Sequence, residues 1–393
     1  MATLGLYIQV PFCASKCTFC NFSSSVERSS IFDHYARSLQ KELEGLDRFY
    51  AERSLPLDAL SLPVDSIYMG GGTPALLGSD RLEALLKTLR VRFQCSEKVE
   101  FTLETTPGSV DAMLLGNLRN LGVNRLSIGV QSFDDGELRA VGRLHSAADS
   151  VQLVHDARAV GFSNISIDLI AGLPLQSEAS FQSGLAAAAK LRPEHISLYL
   201  FEIDEKSRLG REVVHGGGRY QAATVPSEDF MADAYDYARA FLTVEGYIQY
   251  EISNFALPGY ESRHNQKYWR LDPYIGIGAG AHSFDGERRW SNQIDARGYM
   301  VRLEAGQSPI LESCLISPEA QIEEFFFLGL RQCEGVDLEW ARQKWGSDRL
   351  NCWKDNIRSL LADGWLISGG DRIRLAPKSF LLSNEIFQEF VSA

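Results

Sequence analysis

Along the first two hundred positions the apolar residues switch between two periods. Short β-branched and aromatic runs at 7–10, 64–69, 98–105, 125–129, 164–170 and 195–203 read as strands. Between them stand longer stretches in which apolar residues recur every three or four positions, as on one face of a helix. In 29–48 that face is Phe32, Tyr35, Ala36, Leu39 and Leu43. Helices are likewise predicted over 111–121, 147–160 and 178–191, and one starts at the capping candidates Ser79 or Asp80 and ends at Leu89. Strand and helix in regular alternation imply a parallel sheet with right-handed crossovers. Six units rather than eight predict α/β architecture of one kind: a partial (β/α)6 barrel of TIM type, open on one side. Reactive groups in such folds sit at the C-terminal ends of the strands.

The pattern changes after the sixth strand. Residues 206–226, with Gly216-Gly217-Gly218 near the centre, are expected to be a flexible connection. A helix over 228–244 follows, and 247–255 is expected to add strands at the sheet edge. From about 309 the helical stretches 321–331, 338–344 and 355–363 precede a hairpin over 364–375, which predicts a small winged-helix-like domain. The expected division is a core over 1–245, a sheet extension over 246–308 and a C-terminal domain over 309–393.

Composition narrows the function classes. The chain has 393 residues, 45% apolar and 23% charged, which is ordinary for a globular protein. A formal net charge of -12 argues against nucleic acid or an anionic membrane as main partner, so the wing is expected to serve structure or closure. No apolar run approaches the roughly 20 residues that span a bilayer, and the first strand begins within a few residues of Met1. The expected location is cytoplasmic, with membrane contact at most peripheral.

The first strand runs into Cys13-Ala14-Ser15-Lys16-Cys17-Thr18-Phe19-Cys20, a C-x3-C-x2-C spacing. Thiolates are soft ligands that suit iron–sulfur clusters, zinc and Cu(I). A zinc site would want a fourth Cys or His nearby, and Asn21, Phe22 and Ser23 follow instead. Three cysteines on one loop suit a cubane cluster with one iron left open to a small chelating molecule. Cys95, Cys314, Cys333 and Cys352 stand singly, without the spacing of a disulfide framework. After the second strand, Gly70-Gly71-Gly72-Thr73-Pro74 allows close approach of backbone to a ligand, and it is not a P-loop. Glu104, Gln131, Arg143 and Asp168 fall at or near the ends of successive strands.

The cysteine spacing resembles the signature of the radical SAM superfamily, in which S-adenosylmethionine (SAM) chelates the open iron. That resemblance implies a [4Fe–4S] cluster on Cys13, Cys17 and Cys20, with the glycine run near the methionyl amino group. Arg143 is suited to the methionine carboxylate, and Asp168 and Gln131 to the ribose hydroxyls. Further blocks, at 122–133, 142–145, 168–174 and 250–256, are similar to the oxygen-independent coproporphyrinogen III oxidase family, over nearly the whole chain. The implied SAM site consists of Tyr7, Phe19, Gly71, Gly72, Thr73, Glu104, Gln131, Arg143 and Asp168, with Glu202 and His282 contributing through backbone atoms. Thr105-Thr106-Pro107 departs from the more usual Ala-Asn-Pro after the glutamate.

Within this family the oxidases carry a fourth cysteine two positions beyond the third, together with a longer N-terminal extension. Phe22 stands at that place here. The string His264-Asn265-Gln266-Lys267-Tyr268-Trp269 resembles the H-N-x-x-Y-W mark of HemW-type heme chaperones. Histidine and tyrosine are both axial ligands of heme iron, so a heme contact is expected at His264. This branch implies heme, a heme-accepting protein such as a respiratory cytochrome, and an electron donor for the cluster. The rival branch implies SAM-dependent oxidation of coproporphyrinogen III, against which Phe22 speaks.

Overall fold

The computed structural model describes residues 2–391. Strands β1 (Leu4–Val10), β2 (Val64–Gly71), β3 (Cys95–Thr105), β4 (Arg125–Gln131), β5 (Ile165–Ala171) and β6 (His195–Leu200) lie side by side in chain order, all parallel. The helices Ser29–Glu52, Gly78–Arg92, Ala112–Asn120, Ala147–Ala159 and Glu178–Lys190 cross between them. Alternation on β1 shows how the layers form. Leu4, Leu6, Ile8 and Val10 are fully buried in the main core with Leu39 and Leu43 of the first helix, while Gly5, Tyr7 and Gln9 point the other way. The expected six-unit α/β architecture is what forms.

The sheet continues past both ends of this core. Past β6, strand β8 (Asn254–Ala256) adds antiparallel to it, and β7 (Ile248–Glu251) adds antiparallel to β8 at the edge. Strand β9 (Tyr274–Ile277) adds parallel to β1, followed by the antiparallel β10 (His282–Phe284), β11 (Arg288–Asn292) and β12 (Ile310–Leu315). Strand β12 belongs to this sheet although the composition shifts near its start.

The flexible connection expected over 206–226 is a correction. Ser207 caps a helix at Arg208–Val214 by accepting from the Gly210 N–H, and a tight turn at Arg219–Thr224 follows. Tertiary contacts outweigh the three glycines: Leu209 is fully buried, its N–H donates to the Thr18 carbonyl, and Arg208 donates to the Lys16 carbonyl. This segment braces the cysteine loop.

The His264–Trp269 string is helical, within Arg263–Arg270, and Ser262 caps it by accepting from the Asn265 N–H. The helix sits at the N-terminal ends of the barrel strands. Glu100 of β3 accepts from the backbone of Arg263 and His264, and Lys267 pairs with Asp65 of β2 at 2.9 Å. A carboxylate at a helix N-terminus is favourable because the orphan N–H groups point at it. On its other side the helix meets the C-terminal helix Pro318–Gly329. The C-terminal unit carries the expected wing with one strand more than the hairpin: β13 (Val336–Asp337), β14 (Leu366–Gly369) and β15 (Arg372–Leu375), ordered 13-15-14.

Candidate functional site

A cavity of about 520 Å³ opens at the C-terminal ends of β1–β6. It is lined by Cys13, Cys17, Cys20 and Phe19 from the first loop and by Gly71, Gly72 and Thr73 from the second. Glu104, Gln131, Arg143 and Asp168 complete the set expected there. Tyr7, Glu202, His282 and His264 are not among the lining residues. Tyr7 lies within the barrel, its hydroxyl donating to Gln9 at 2.7 Å. Glu202, just past the end of β6, and His282, at the start of β10, are exposed.

The cysteine loop is held from several sides. Cys13 N–H donates to the Ser25 carbonyl, Thr18 N–H to the Val141 carbonyl, and Lys16 Nζ to the Phe22 and Ser24 carbonyls. Burial is the main cause that pushes the Cys13 thiol up, and the neighbouring Cys20 and Cys17 add to it. A bound cation would reverse that balance, since a coordinating thiol is deprotonated. Among the described residues, no three His, Cys, Asp or Glu side chains converge on one metal ion.

The glycine run explains the loop's approach to the cavity. A Cβ on Gly72 would lie 2.4 Å from the Phe12 carbonyl oxygen, and one on Gly70 would lie 2.8 Å from the Glu104 carboxyl carbon. Gly71, at φ +103°, donates its N–H to Glu104 Oε2 at 3.0 Å, and the Tyr68 hydroxyl donates to Oε1 at 2.8 Å. Burial raises Glu104 to about 7, with Tyr68 and Gly71 acting against it and Asp168 with it. Asp168 is also raised, mainly by burial, against the Ser197, Ser127 and Ser166 hydroxyls and the Arg125 charge. Gln131 follows a register break in the β4–β5 pairing and has φ +72°, a backbone that a non-glycine residue adopts only under constraint. This bend carries its amide to the cavity.

Arg143 donates to Cys17 Sγ at 3.4 Å and to the Gly129 carbonyl, while its buried Nε has no protein partner. An orphaned guanidinium nitrogen beside the cysteine loop fits a carboxylate ligand. The donor set therefore suits the amino acid end of SAM: an acidic residue at Glu104, a free cationic donor at Arg143, and acceptors at Gln131 and Asp168 for hydroxyls.

Tyr199, Phe22, Leu144 and His145 also line the cavity, though sequence reasoning did not place them there. Tyr199 stands near the end of β6, and that position was the available signal. Phe22, Leu144 and Tyr199 are 67%, 78% and 44% exposed, so the mouth has an apolar rim.

His264 is fully buried at the opposite end of the barrel. Its Nδ1 lies 3.1 Å from Ser66 Oγ and its Nε2 2.9 Å from Tyr268 Oη. Burial, then the charges of Lys267 and Arg125, lower its pKa to about 3, so the ring is neutral. Tyr268 also borders a second cavity of about 280 Å³, with Tyr274, Phe284 and Arg289.

Comparison with known proteins gives the same picture. Residues 7–183 match the radical SAM superfamily and 316–382 match the HemN C-terminal domain. The chain is 33% identical to the heme chaperone HemW of Lactococcus lactis, over 98% of this chain and 96% of that protein. It is 32% identical to the heme chaperone HemW of Bacillus subtilis, over 98% of both. Among solved structures, the coproporphyrinogen III oxidase HemN of Escherichia coli, described as a radical SAM enzyme, is similar with a TM-score of 0.85. That similarity runs at 26% identity over 99% of this chain and 90% of the other.

Proposed function

The chain belongs to the family of the heme chaperone HemW, within the radical SAM superfamily, and from that premise we propose that it binds heme and passes it to an acceptor protein. The observation that carries this reading is the full-length similarity to heme chaperones. Phe22 in place of the oxidases' fourth cysteine supports it.

The cofactors are a [4Fe–4S] cluster and SAM, and the cavity residues fit both. When bound, the cluster would supply one-electron chemistry to SAM. Cys13, Cys17 and Cys20 would hold the cluster, and the braced loop keeps them on one rim. Arg143 would hold the methionine carboxylate through its free Nε, and Glu104 the amino group. Asp168 and Gln131 would orient the ribose. Phe19 and the glycine run would exclude water from that end.

The heme contact is assigned to the helix Arg263–Arg270. His264 is neutral, the form that binds iron, but Tyr268 occupies its Nε2. Ligation there requires Tyr268 to swing toward the cavity it borders. Replacing His264 with Ala is expected to weaken heme binding in an optical titration; an unchanged affinity and spectrum would remove His264 from the site. The acceptor is read as a respiratory cytochrome, the electron donor as a cytoplasmic reductant, and any membrane contact as peripheral; among the described residues, no helix is long and apolar enough to cross a membrane. Mixing heme-loaded protein with a heme-free cytochrome should move the Soret band to that of the acceptor. Retention of heme by the donor would contradict the transfer role.

A further inference from the structure

Asp168 ends a chain of hydrogen bonds that begins behind the cavity. Ser166, two residues earlier on β5, donates its hydroxyl to Asp168 Oδ1 at 3.4 Å and lies 2.8 Å from His195 Nδ1. His195 Nε2 lies 2.9 Å from Tyr250 Oη, which accepts from the Ser262 N–H at 3.4 Å. Ser262 is the cap of the helix Arg263–Arg270. Ser166 and His195 are fully buried, and neither they nor Tyr250 line the cavity.

One arrangement of hydrogens satisfies every member. Ser166 gives its hydrogen to Asp168 Oδ1, an oxygen that accepts. The Ser166 oxygen then accepts from His195 Nδ1–H. The neutral ring offers its Nε2 lone pair, and Tyr250 donates to it. The other tautomer would leave the Tyr250 hydrogen without an acceptor among the bonds of the described residues. Burial and the Arg125 charge keep the ring from taking a second proton. Every donor in the chain thus points toward Asp168.

We propose that Tyr250, His195 and Ser166 form a positioning relay that orients the Asp168 carboxylate for the ribose hydroxyls of SAM and ties it to the helix carrying His264. The relay rests on the reading of the cavity as a SAM site. It acts through Asp168 and touches no ligand itself.

The test is SAM affinity by anaerobic equilibrium dialysis of the cluster-loaded full chain. His195→Leu and Tyr250→Phe should each weaken binding about tenfold, the usual scale for removing an outer partner of a binding group. His195→Asn, whose amide nitrogen can stand where Nδ1 stood but which has no counterpart of Nε2, should match Tyr250→Phe and bind no more weakly than it, since it keeps the donor to Ser166 and loses only the link to Tyr250. In an Asp168→Asn background, Tyr250→Phe should have no further effect, an outcome that a merely structural role would not produce. Nitrogen-15 spectra of His195 should show Nδ1 protonated and Nε2 bare. Wild-type protein that fails to bind SAM would overturn the cavity reading and the relay with it. Wild-type binding with Tyr250→Phe unchanged, or a His195 ring protonated at Nε2 instead, would overturn the relay alone.

Discussion

Glu104 is the residue whose charge state is most finely balanced in the cavity. Burial lifts it to about 7, so near neutrality it is shared between its two forms. An ammonium ligand needs the ionised form. SAM affinity should therefore fall as pH drops below about 7, and Glu104→Gln should remove that component and cost about tenfold at pH 8. Calorimetric titrations at pH 6 and pH 8 would check it; an identical pH profile in the variant would contradict the assignment. Cys17 makes a simpler case. Cys17→Ser should abolish the visible absorbance of a reconstituted cluster, because thiolates hold it, and retained absorbance would refute its ligand role. These residues were legible because strand ends and short spacings locate them. Tyr7 was not, since sequence marks a strand residue without saying at what depth in the barrel it stands.

At the scale of elements, the parallel core was legible because each crossover helix has a regular apolar face. What escaped were segments ordered by their neighbours. The 206–226 connection looks permissive by composition, yet Leu209 and Arg208 lock it to the cysteine loop. The Gly276–Ser283 turn hides another such junction. There Glu42 of the helix Ser29–Glu52 accepts from Tyr299 Oη at 2.5 Å, Asn292 Nδ2 at 2.6 Å and the Gly278 N–H at 2.8 Å. Burial, opposed by these bonds, raises Glu42 to about 7. Its folded pKa thus lies above the unfolded value of 4.5. The folded state keeps a proton that the unfolded chain releases, so stability is fullest below 4.5 and declines as pH rises toward 7. The share due to Glu42 is up to about 3 kcal/mol. Urea denaturation at pH 5 and pH 8 should show a smaller difference for Glu42→Gln than for wild type; an equal difference would rule Glu42 out as its source.

Across the whole molecule, the helix Arg263–Arg270 joins the barrel to the C-terminal unit. Arg331 lies over the Trp269 ring at 4.7 Å and pairs at 3.6 Å with Glu251, which is fully buried. Arg331→Ala would strand that carboxylate, and should cost about 3 kcal/mol in denaturant unfolding; a loss within experimental error would show that the pair does not hold the units together. The H-N-x-x-Y-W string could be recognised in sequence, but its place at the floor of the barrel could not, because that depends on contacts with Glu100, Asp65 and the C-terminal helix. The central claim is heme handling on a radical SAM scaffold. Its most direct test is a heme titration of anaerobically purified, cluster-reconstituted protein, with coproporphyrinogen III and SAM assayed in parallel. The account predicts saturable heme binding and no conversion of the porphyrinogen. Absence of heme binding together with SAM-dependent conversion would contradict it.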